Sequence, residues 1–372
     1  GLLEDEPRFD YSGGATCPSL LLEPSRTQLI GQTEYIDGLN FNSVTTSFEN
    51  VTSPEGVSGV YEVTTTTTTQ NHFVYNDNIV NPSKTYTISG YFKKSTKRYC
   101  SIGINQRTSS GSYMGTYTQI FDLDTTAWGS GISELNAPTY VNKDFVDMGN
   151  GWYRLILTCT LGATAGILRS FYGISNSSTT PFYGGSNTDA IYLWGLQAEE
   201  GSYPTSYIPN HSGGTITRGD DDINKLTGVG VTGDEFSIFL EFDLSDTPLV
   251  TNLGTYFQTF DSSNNSQQEF RFFNWSGEQV LLPYFRQDAT YPFGTGGDAV
   301  RFDGKILFRA DGGGSYTMFF GFNGSSTKEV RTGLTAYTLN KIDFATKPKT
   351  NVKQLLIFNE ALSDADCITL TT

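Results

Sequence analysis

The chain has 372 residues, of which 14% are aromatic and only 17% are charged, and it contains 40 glycines. This length exceeds what one hydrophobic core normally organises, so two or possibly three domains are expected. Acidic residues outnumber basic residues 39 to 24, giving a formal net charge of −15, and a surface of that sign repels nucleic-acid phosphates. No apolar run approaches the ~20 residues that a membrane helix needs, so neither nucleic acid nor membrane insertion is expected.

Alternating apolar and polar residues predict β-strands in the first half of the chain. Tyr86–Phe92 alternates with a period of two, which is typical of a half-buried strand. Trp152–Cys159 follows a Gly-Asn-Gly turn, and Ala190–Gln197 is also mostly apolar, as expected for strands inside a sandwich. Trp152 and Trp194 lie within these strands and are predicted to belong to the core.

A polar, glycine-rich stretch between residues 211 and 222 predicts a domain boundary near 215–225. Strand patterns resume at Phe236–Leu244 and continue in three later segments, Lys305–Arg309, Thr317–Phe322 and Val352–Phe358. Helical patterning is nearly absent until Ser363, which can cap one or two helical turns with Asp366 three residues later. We therefore predict an all-β fold.

Three separated motifs resemble one family. Residues 18–30, PSLLLEPSRTQLI, resemble the opening signature LLLEP-x-RTNL of phage tail and head-spike carbohydrate-binding modules, with Gln28 in place of Asn. The stretch LWGLQAEEGSYPTSYIP at 193–209 and the later GTITR at 214–218 resemble its closing half, and Gly151–Arg154 lies between them. The resemblance covers residues 8–218 and implies a carbohydrate-binding jelly roll.

The second half of the chain resembles a laminin-G or concanavalin-A-like sandwich, through its strand rhythm and its ending Phe358–Cys367. The expected architecture is two β-sandwich (jelly-roll) domains in tandem. The expected ranges are a connecting segment at 1–17, the carbohydrate-binding-module-like jelly roll at 18–218 and the second sandwich at 219–372. Because the sequence starts at Gly1 rather than Met, we expect a fragment of a longer chain.

The resemblance implies a glycan-binding adhesin segment of a virion fibre, located on the virion surface and attached to bacterial surface polysaccharide. Other virion fibre proteins are the implied partners, and a homotrimer is the implied assembly. A passive structural or decorating fibre domain remains an alternative, and a polysaccharide depolymerase domain is a further one. Both fold families often hold structural calcium, so one ion is compatible with the sequence, although no ligands are assigned. Three consecutive carboxylates at 220–222 rarely all face one ion and fit a solvated linker better.

Aromatic residues in predicted loops are the candidate glycan-binding residues, because the C–H groups of a sugar ring pack on aromatic faces. Trp128 lies in a glycine-flanked segment without strand periodicity, and Tyr113 and Tyr117 would share a face if their segment is a strand. Trp275 and Tyr291 occupy predicted turns of the second half, where they can contact a glycan or pack against a neighbouring module or an oligomer partner.

Four charged residues in the signature motifs are candidates for holding the first domain closed. Glu23 and Arg26 lie three apart in an extended segment, so their side chains point to opposite faces. We expect Arg26 to meet Glu199 or Glu200 across the strands that join the two ends of the domain, in preference to a direct contact with a glycan.

No pattern in the sequence identifies catalytic residues. His72 and His211 are the only histidines, and no G-x-S-x-G nucleophile elbow precedes either of them. The abundant carboxylates include no identifiable opposed pair of the kind that a glycosidase requires. We therefore predict a protein without enzymatic activity and assign no catalytic residue.

Overall fold

The computed structural model describes residues 9–10, 19–219, 226–227, 229–243, 254–263, 265–275, 278–285, 304–322, 325–344 and 350–372. Contacts between Cα atoms divide the chain into two compact units. Unit A comprises residues 26–218, and unit B comprises residues 1–25 together with 219–372. In the described part of the chain both units are built from antiparallel β-sheets, which confirms the predicted all-β sandwich fold.

Two six-stranded antiparallel sheets form the described body of unit A. Sheet I has the strand order β12-β11-β10-β15-β8-β4, with the bounds β4 Asn40–Asn42, β8 His72–Ile79, β10 Tyr99–Arg107, β11 Tyr113–Asp122, β12 Ala127–Leu135 and β15 Ile167–Ile174. Sheet II has the order β13-β14-β9-β17-β6-β5, with the bounds β5 Val44–Thr52, β6 Ser58–Thr65, β9 Thr85–Lys94, β13 Thr139–Gly149, β14 Trp152–Thr160 and β17 Ala190–Glu200.

Short elements connect these strands. Two small antiparallel pairs and one 3-10 helix are described: β3 Arg26–Gln28 with β18 Ile216–Arg218, β7 Thr69–Gln70 with β16 Tyr183–Gly184, and the helix at Ile36–Gly38. The β3–β18 pair joins the two ends of unit A, because Thr27 lies opposite Thr217.

The core of unit A follows from the alternation in its strands. Ile102 and Ile104 of β10 and Leu155 and Leu157 of β14 are fully buried in one cluster, to which both sheets contribute. The alternate residues of each strand face away from that core. On sheet II these outward-facing side chains form a second buried cluster, which contains the two predicted core tryptophans, Trp152 and Trp194. The predicted burial of both tryptophans is therefore confirmed.

Unit B has a seven-stranded and a five-stranded antiparallel sheet in its described residues. The larger sheet has the order β1-β2-β28-β20-β24-β25-β26, with the bounds β1 Phe9–Asp10, β2 Ser19–Leu22, β20 Glu235–Asp243, β24 Lys305–Asp311, β25 Tyr316–Phe322, β26 Ser325–Arg331 and β28 Thr350–Phe358. The smaller sheet has the order β19-β27-β21-β22-β23, with the bounds β19 Leu226–Thr227, β21 Gly254–Phe260, β22 Ser266–Trp275, β23 Glu278–Phe285 and β27 Lys341–Phe344.

One helix, α1 at Asp364–Thr371, is described near the C-terminus. The Ser363 side chain accepts a hydrogen bond from the backbone N–H of Asp366, so the predicted cap is confirmed. Cys367 of this helix is buried in a cluster with Phe239, Leu307 and Phe319 of unit B.

The range expected for the first domain, 18–218, differs from the structure at its beginning. Strand β2, Ser19–Leu22, pairs with β28, so this segment extends a sheet of unit B. The longer signature LLLEPSRTQL is therefore divided between the units: its LLLEP part lies in unit B, with the three leucines in the β2 ladder, and Arg26 begins unit A. An unpaired strand edge accepts any extended segment, so hydrophobic pattern alone cannot tell which edge β2 joins.

Candidate functional site

The outward face of sheet I carries a row of hydrogen-bonding side chains across five adjacent strands. Asn105 of β10 lies opposite Arg169 of β15 on one side and opposite Thr116 of β11 on the other. Arg169 in turn lies opposite Asp77 of β8, and Thr116 lies opposite Glu134 of β12. Because side chains alternate between the two faces of a strand, residues in register share one face. We call these five residues the polar row.

Aromatic rings lie beside the polar row. Phe171 is in register with Gly103, two residues from the polar row, and a Cβ atom on Gly103 would overlap its ring. Phe73 lies opposite Gly173, two residues further along the strands from Phe171 and four from the polar row. The centroids of the Phe73 and Phe171 rings are 4.9 Å apart. The glycines therefore let the two rings lie low against the sheet, which leaves a depression over it.

This depression is a cleft with a volume of about 220 Å³. Its floor includes Phe171 and Asn105, one end is bounded by Tyr113 and Glu134, and the other end is bounded by Asn71, His72 and Pro181. The loop that carries Pro181 is fixed against sheet I, because the Ser130 N–H donates a 2.7 Å hydrogen bond to the Ser178 carbonyl oxygen.

A chain of hydrogen bonds crosses the Tyr113 end of the cleft. The Tyr113 hydroxyl donates to Oε2 of Glu134 at 3.3 Å, and it lies 3.1 Å from the hydroxyl of Thr116. The Asn105 Nδ2 group donates to the same Thr116 hydroxyl at 2.9 Å. Burial, opposed by the Thr116 hydrogen bond and reinforced by the Glu134 charge, raises the pKa of Tyr113, so its hydroxyl stays a donor.

Arg169 contributes planar surface to the cleft while its charge is neutralised. Its Nε and Nη2 atoms donate to the two carboxylate oxygens of Asp77, each at 2.7 Å, and its guanidinium carbon lies 3.7 Å from the centroid of the Tyr75 ring. Burial lowers the pKa of Arg169, but the Asp77 contacts outweigh it, so the net direction is upward. Such a bidentate, stacked arginine is rigid.

Two amide oxygens that border the cleft are buried without a hydrogen-bond partner in the described structure, Oδ1 of Asn71 and Oδ1 of Asn105. Asn105 lies on the floor of the cleft and Asn71 lies at its Pro181 end. A buried acceptor of this kind costs about 1–3 kcal/mol when nothing donates to it. His72 beside Asn71 is held differently, since its two ring nitrogens lie 2.8 Å from the Ser43 carbonyl oxygen and 3.1 Å from that of Tyr183.

The two tyrosines that were predicted to share a face lie on different faces of sheet I. Tyr113 borders the cleft, whereas Tyr117 packs against the core and stacks on Tyr140 with the ring centroids 5.2 Å apart. The register of β10 and β11 shifts between Gln106 and Arg107, which places Tyr113 out of phase with the rest of β11. The expectation of a shared face is therefore wrong, because a bulge interrupts the alternation.

Trp128 lies in strand β12 rather than in a loop, opposite Phe121 of β11. Its half-buried ring meets the Phe121 ring edge-on with the centroids 5.0 Å apart, and the Lys143 Nζ atom lies 5.5 Å from its centroid. The glycines around it suggested a loop, but Gly129 is needed because the backbone of Ser178 passes close to it. Trp128 is not among the residues that border the cleft.

The two aromatic candidates in unit B are only partly described. Trp275 is the last residue of β22 and lies opposite Glu278 of β23, while its side chain lies outside the described part of the structure. Tyr291 lies outside the described residues altogether. Both therefore remain predictions from sequence.

Three of the four motif charges, Arg26, Glu199 and Glu200, lie in unit A, whereas Glu23 lies in unit B. Arg26 Nε lies 3.8 Å from Oε2 of the fully buried Glu199, and the Arg26 guanidinium carbon lies 5.0 Å from the centroid of the Tyr203 ring. Glu23 is fully buried as well, whereas the partly exposed Glu200 lies 3.8 Å from Lys84 Nζ.

Glu199 is held by more than its arginine. Oε1 of Glu199 accepts a hydrogen bond from the Thr205 N–H at 2.7 Å and from Gln197 Nε2 at 2.8 Å, and Oε2 accepts from the Thr205 hydroxyl at 2.9 Å. Burial raises the pKa of Glu199 against the opposing effect of these donors. This network ties the SYPTSYIP segment to β17, and Gln197, Glu199 and Thr205 are not among the residues that border the cleft.

The described residues contain no group of three or more His, Cys, Asp or Glu side chains that could hold a metal ion. The acidic run at 220–222 lies outside the described part of the chain. Cys100, Cys159 and Cys367 are buried free thiols. No residues are therefore assigned to calcium. No helix in the part of the chain that the structure describes is both long and apolar enough to cross a membrane.

Sequence reasoning did not identify the polar row. Its signal was present in β10, where Ser101, Gly103 and Asn105 alternate with buried Ile102 and Ile104. This pattern indicates a polar outward face, but not which strands lie on either side. The cleft depends on β15, which lies more than 60 residues away in sequence from β10 and yet pairs with it.

No protein-family model and no curated protein sequence matches the chain. Among solved structures, it is similar to the full extracellular region of zebrafish Gpr126/Adgrg6, with 10% sequence identity and a TM-score of 0.24. That similarity covers 89% of this chain and 38% of the other, so this chain spans well under half the length of that structure. A similarity of this size indicates neither family nor function.

Proposed function

We propose that the cleft on sheet I of unit A binds carbohydrate. The polar row carries the proposal, because five hydrogen-bonding side chains lie in register across five strands directly beside the Phe73 and Phe171 rings. Sugars present hydroxyls around the edge of a ring and C–H groups on its faces, so they require this combination of polar groups and aromatic surface.

The size of the cleft sets the length of the bound glycan. A volume of about 220 Å³ lies below the ~300–1,000 Å³ that drug-sized molecules occupy. The cleft therefore accommodates one or two sugar rings of a longer polymer. A contact of this size gives weak binding at a single site, and several copies on one particle would strengthen it by avidity.

We place this sugar site in a bacteriophage fibre that attaches a virion to bacterial surface polysaccharide. The support is the resemblance of three separated motifs, which keep their sequence order within residues 8–218. In this proposal the chain lies on the virion surface with other fibre proteins, it assembles as a homotrimer, and unit B is a laminin-G or concanavalin-A-like sandwich. Light scattering at micromolar concentration tests the assembly: a trimer mass supports it, and a monomer mass counts against it for this chain.

The charges in the cleft favour binding over hydrolysis. Among the described residues that border it, Glu134 is the one carboxylate, and the Asp77 carboxylate of the polar row is engaged by Arg169. Glycoside hydrolysis by the usual route requires two carboxylates that flank the scissile bond. A depolymerase is therefore the weaker alternative, and a passive fibre domain is the other.

The experiment is a glycan array combined with binding to purified bacterial surface polysaccharides, using fluorescently labelled protein. Phe73→Ala removes an aromatic ring from the cleft and Asn105→Ala removes the centre of the polar row. Phe48→Ala is the matched control, because Phe48 is 63% exposed on β5 of sheet II, away from the cleft. Reducing ends released from the polysaccharide are measured in the same samples.

Binding that is lost in Phe73→Ala and Asn105→Ala but retained in Phe48→Ala is the expected result, with all three variants folded. Binding that survives both cleft variants would refute the cleft as the site, and loss on Trp275→Ala would then place it in unit B. Released reducing ends would support the depolymerase alternative. An absence of binding to every glycan and polysaccharide would support the passive fibre domain.

A further inference from the structure

The hydrogen-bond chain at the Tyr113 end of the cleft has one direction. The Glu134 carboxylate can only accept, so the Tyr113 hydroxyl donates to it. The oxygen of Tyr113 then accepts from the Thr116 hydroxyl, and the oxygen of Thr116 accepts from Nδ2 of Asn105. Glu134 thus sets the orientation of the Asn105 amide, although no direct hydrogen bond joins the two residues.

This orientation leaves Oδ1 of Asn105 as an acceptor beneath the cleft floor with no described donor. The terminal torsion of an asparagine is soft, and rotation about it is the movement that would present this oxygen to a ligand in the cleft. A molecule that offers an N–H or O–H at that point relieves the cost of the unpaired acceptor. The cleft therefore selects for a donor at this position.

The surroundings of Asn105 match an acetamido group better than a hydroxyl. Thr118, in the row beside Asn105, offers a hydroxyl that can donate to an amide carbonyl oxygen, and Phe171 in the same row offers an apolar surface for a methyl group. An acetamido group presents one N–H donor, one carbonyl acceptor and one methyl group. A sugar hydroxyl offers a donor and an acceptor on a single oxygen atom, but it lacks the methyl group that packs on Phe171.

Charge at the cleft disfavours acidic sugars. The positive charge of Arg169 is already engaged by Asp77 through two hydrogen bonds, while Glu134 is exposed at the rim. A uronate carboxylate would face Glu134 without a free cation among the described residues that border the cleft. An uncharged sugar avoids this repulsion.

We infer that the cleft, if it is the sugar site proposed above, recognises uncharged acetamido sugars through Oδ1 of Asn105. Glu134, Tyr113 and Thr116 act as positioning residues that keep this oxygen turned away from Thr116. Asn71 supplies a second buried acceptor six residues along the strands from the polar row, a distance of about 20 Å at ~3.3 Å per residue.

The test measures dissociation constants of the full chain for matched monosaccharide pairs that differ only at C2, as 2-acetamido or 2-hydroxy sugars. Pairs in the gluco, galacto and manno series cover the unknown stereochemistry, and glucuronic acid is the acidic probe. The acetamido member of at least one pair is expected to bind about tenfold more tightly, and glucuronic acid is expected to bind more weakly than glucose.

Tyr113→Phe and Glu134→Gln test the positioning role. Tyr113→Phe interrupts the chain but keeps the ring, and Glu134→Gln lets the chain reverse because an amide can also donate. Each is expected to lower the ratio of acetamido to hydroxyl affinity by about 2- to 10-fold. A purely structural role would weaken both sugars equally and leave the ratio unchanged. Glu49→Gln on sheet II is the matched control.

The outcomes separate this inference from the proposed function. Equal affinity for both members of every pair would overturn acetamido recognition while leaving carbohydrate binding intact. A preference that persists unchanged in Tyr113→Phe and Glu134→Gln would overturn the positioning chain. Failure to bind any sugar of the panel or any polysaccharide would overturn the proposed function together with this inference.

Discussion

Gly103 should tolerate no side chain, because Phe171 lies directly over it. A Cβ atom at position 103 would lie 2.5 and 2.6 Å from Cε1 and Cε2 of the Phe171 ring, whereas non-bonded carbons settle at ~3.5–4.0 Å. The ring must therefore retreat by at least about 1 Å. Phe171 is only 5% exposed and has Phe73 beside it, so its free direction is into the cleft.

We expect Gly103→Ala to destabilise unit A by about 1–3 kcal/mol, the usual cost of overpacking, and to weaken sugar binding because the displaced ring narrows the cleft. Native-state hydrogen exchange resolved to β10 and β15 measures the stability of this region. Ser47→Ala is the control, because Ser47 is exposed on β5 of sheet II and does not border the cleft. Unchanged exchange and unchanged affinity in Gly103→Ala would refute the placement of Phe171 over the sheet.

Three further predictions concern residues outside the cleft. Trp128→Ala should lower the stability of unit A by about 2 kcal/mol, since its half-buried ring packs on Phe121, and should leave glycan affinity unchanged; lost affinity at unchanged stability would contradict this. Ser363→Ala should destabilise α1 by about 0.5–2 kcal/mol, seen as faster amide exchange in the helix, and equal exchange would show that the cap contributes nothing. The hydrogen bond from Arg98 lowers the pKa of Asp122 in the folded protein. The contribution of this ion pair to folding stability is therefore complete above the unfolded Asp pKa of about 3.9, and it is lost as the pH falls through the lower pKa of the folded state. Asp122→Asn should therefore be less stable than the wild type at pH 7, with the difference shrinking in acid, and a difference independent of pH would contradict this reasoning.

Local patterning was enough to predict the strands and the tryptophan burial. The alternation in Tyr86–Phe92 corresponds to β9, and the apolar runs that begin at Trp152 and Ala190 correspond to β14 and β17. A two-residue period indicates a strand without knowledge of its neighbours. The predicted half-burial of Tyr86–Phe92 is nevertheless wrong, because Ser89 and Tyr91 on the second face are buried as well. The same reasoning predicted the Ser363 cap, which depends on contacts only three residues apart.

Sequence could not predict features that depend on which strands are neighbours. The polar row unites β8, β10 and β15, whose order in sheet I differs from their order in the chain. The glycines around Trp128 wrongly predicted a loop. Sequence alone does not distinguish a loop glycine from a strand glycine such as Gly129, which is required because another backbone segment passes close to it. The bulge beside Arg107 likewise separated Tyr113 from Tyr117 without any local marker.

The most direct test of the account is a crystal structure of the full chain grown with a short N-acetylated oligosaccharide. We predict sugar density in the cleft of sheet I, between Phe73 and Tyr113, with the acetamido nitrogen at hydrogen-bond distance from Oδ1 of Asn105. Sugar density at another place on the chain, with this cleft empty, would contradict the central claim.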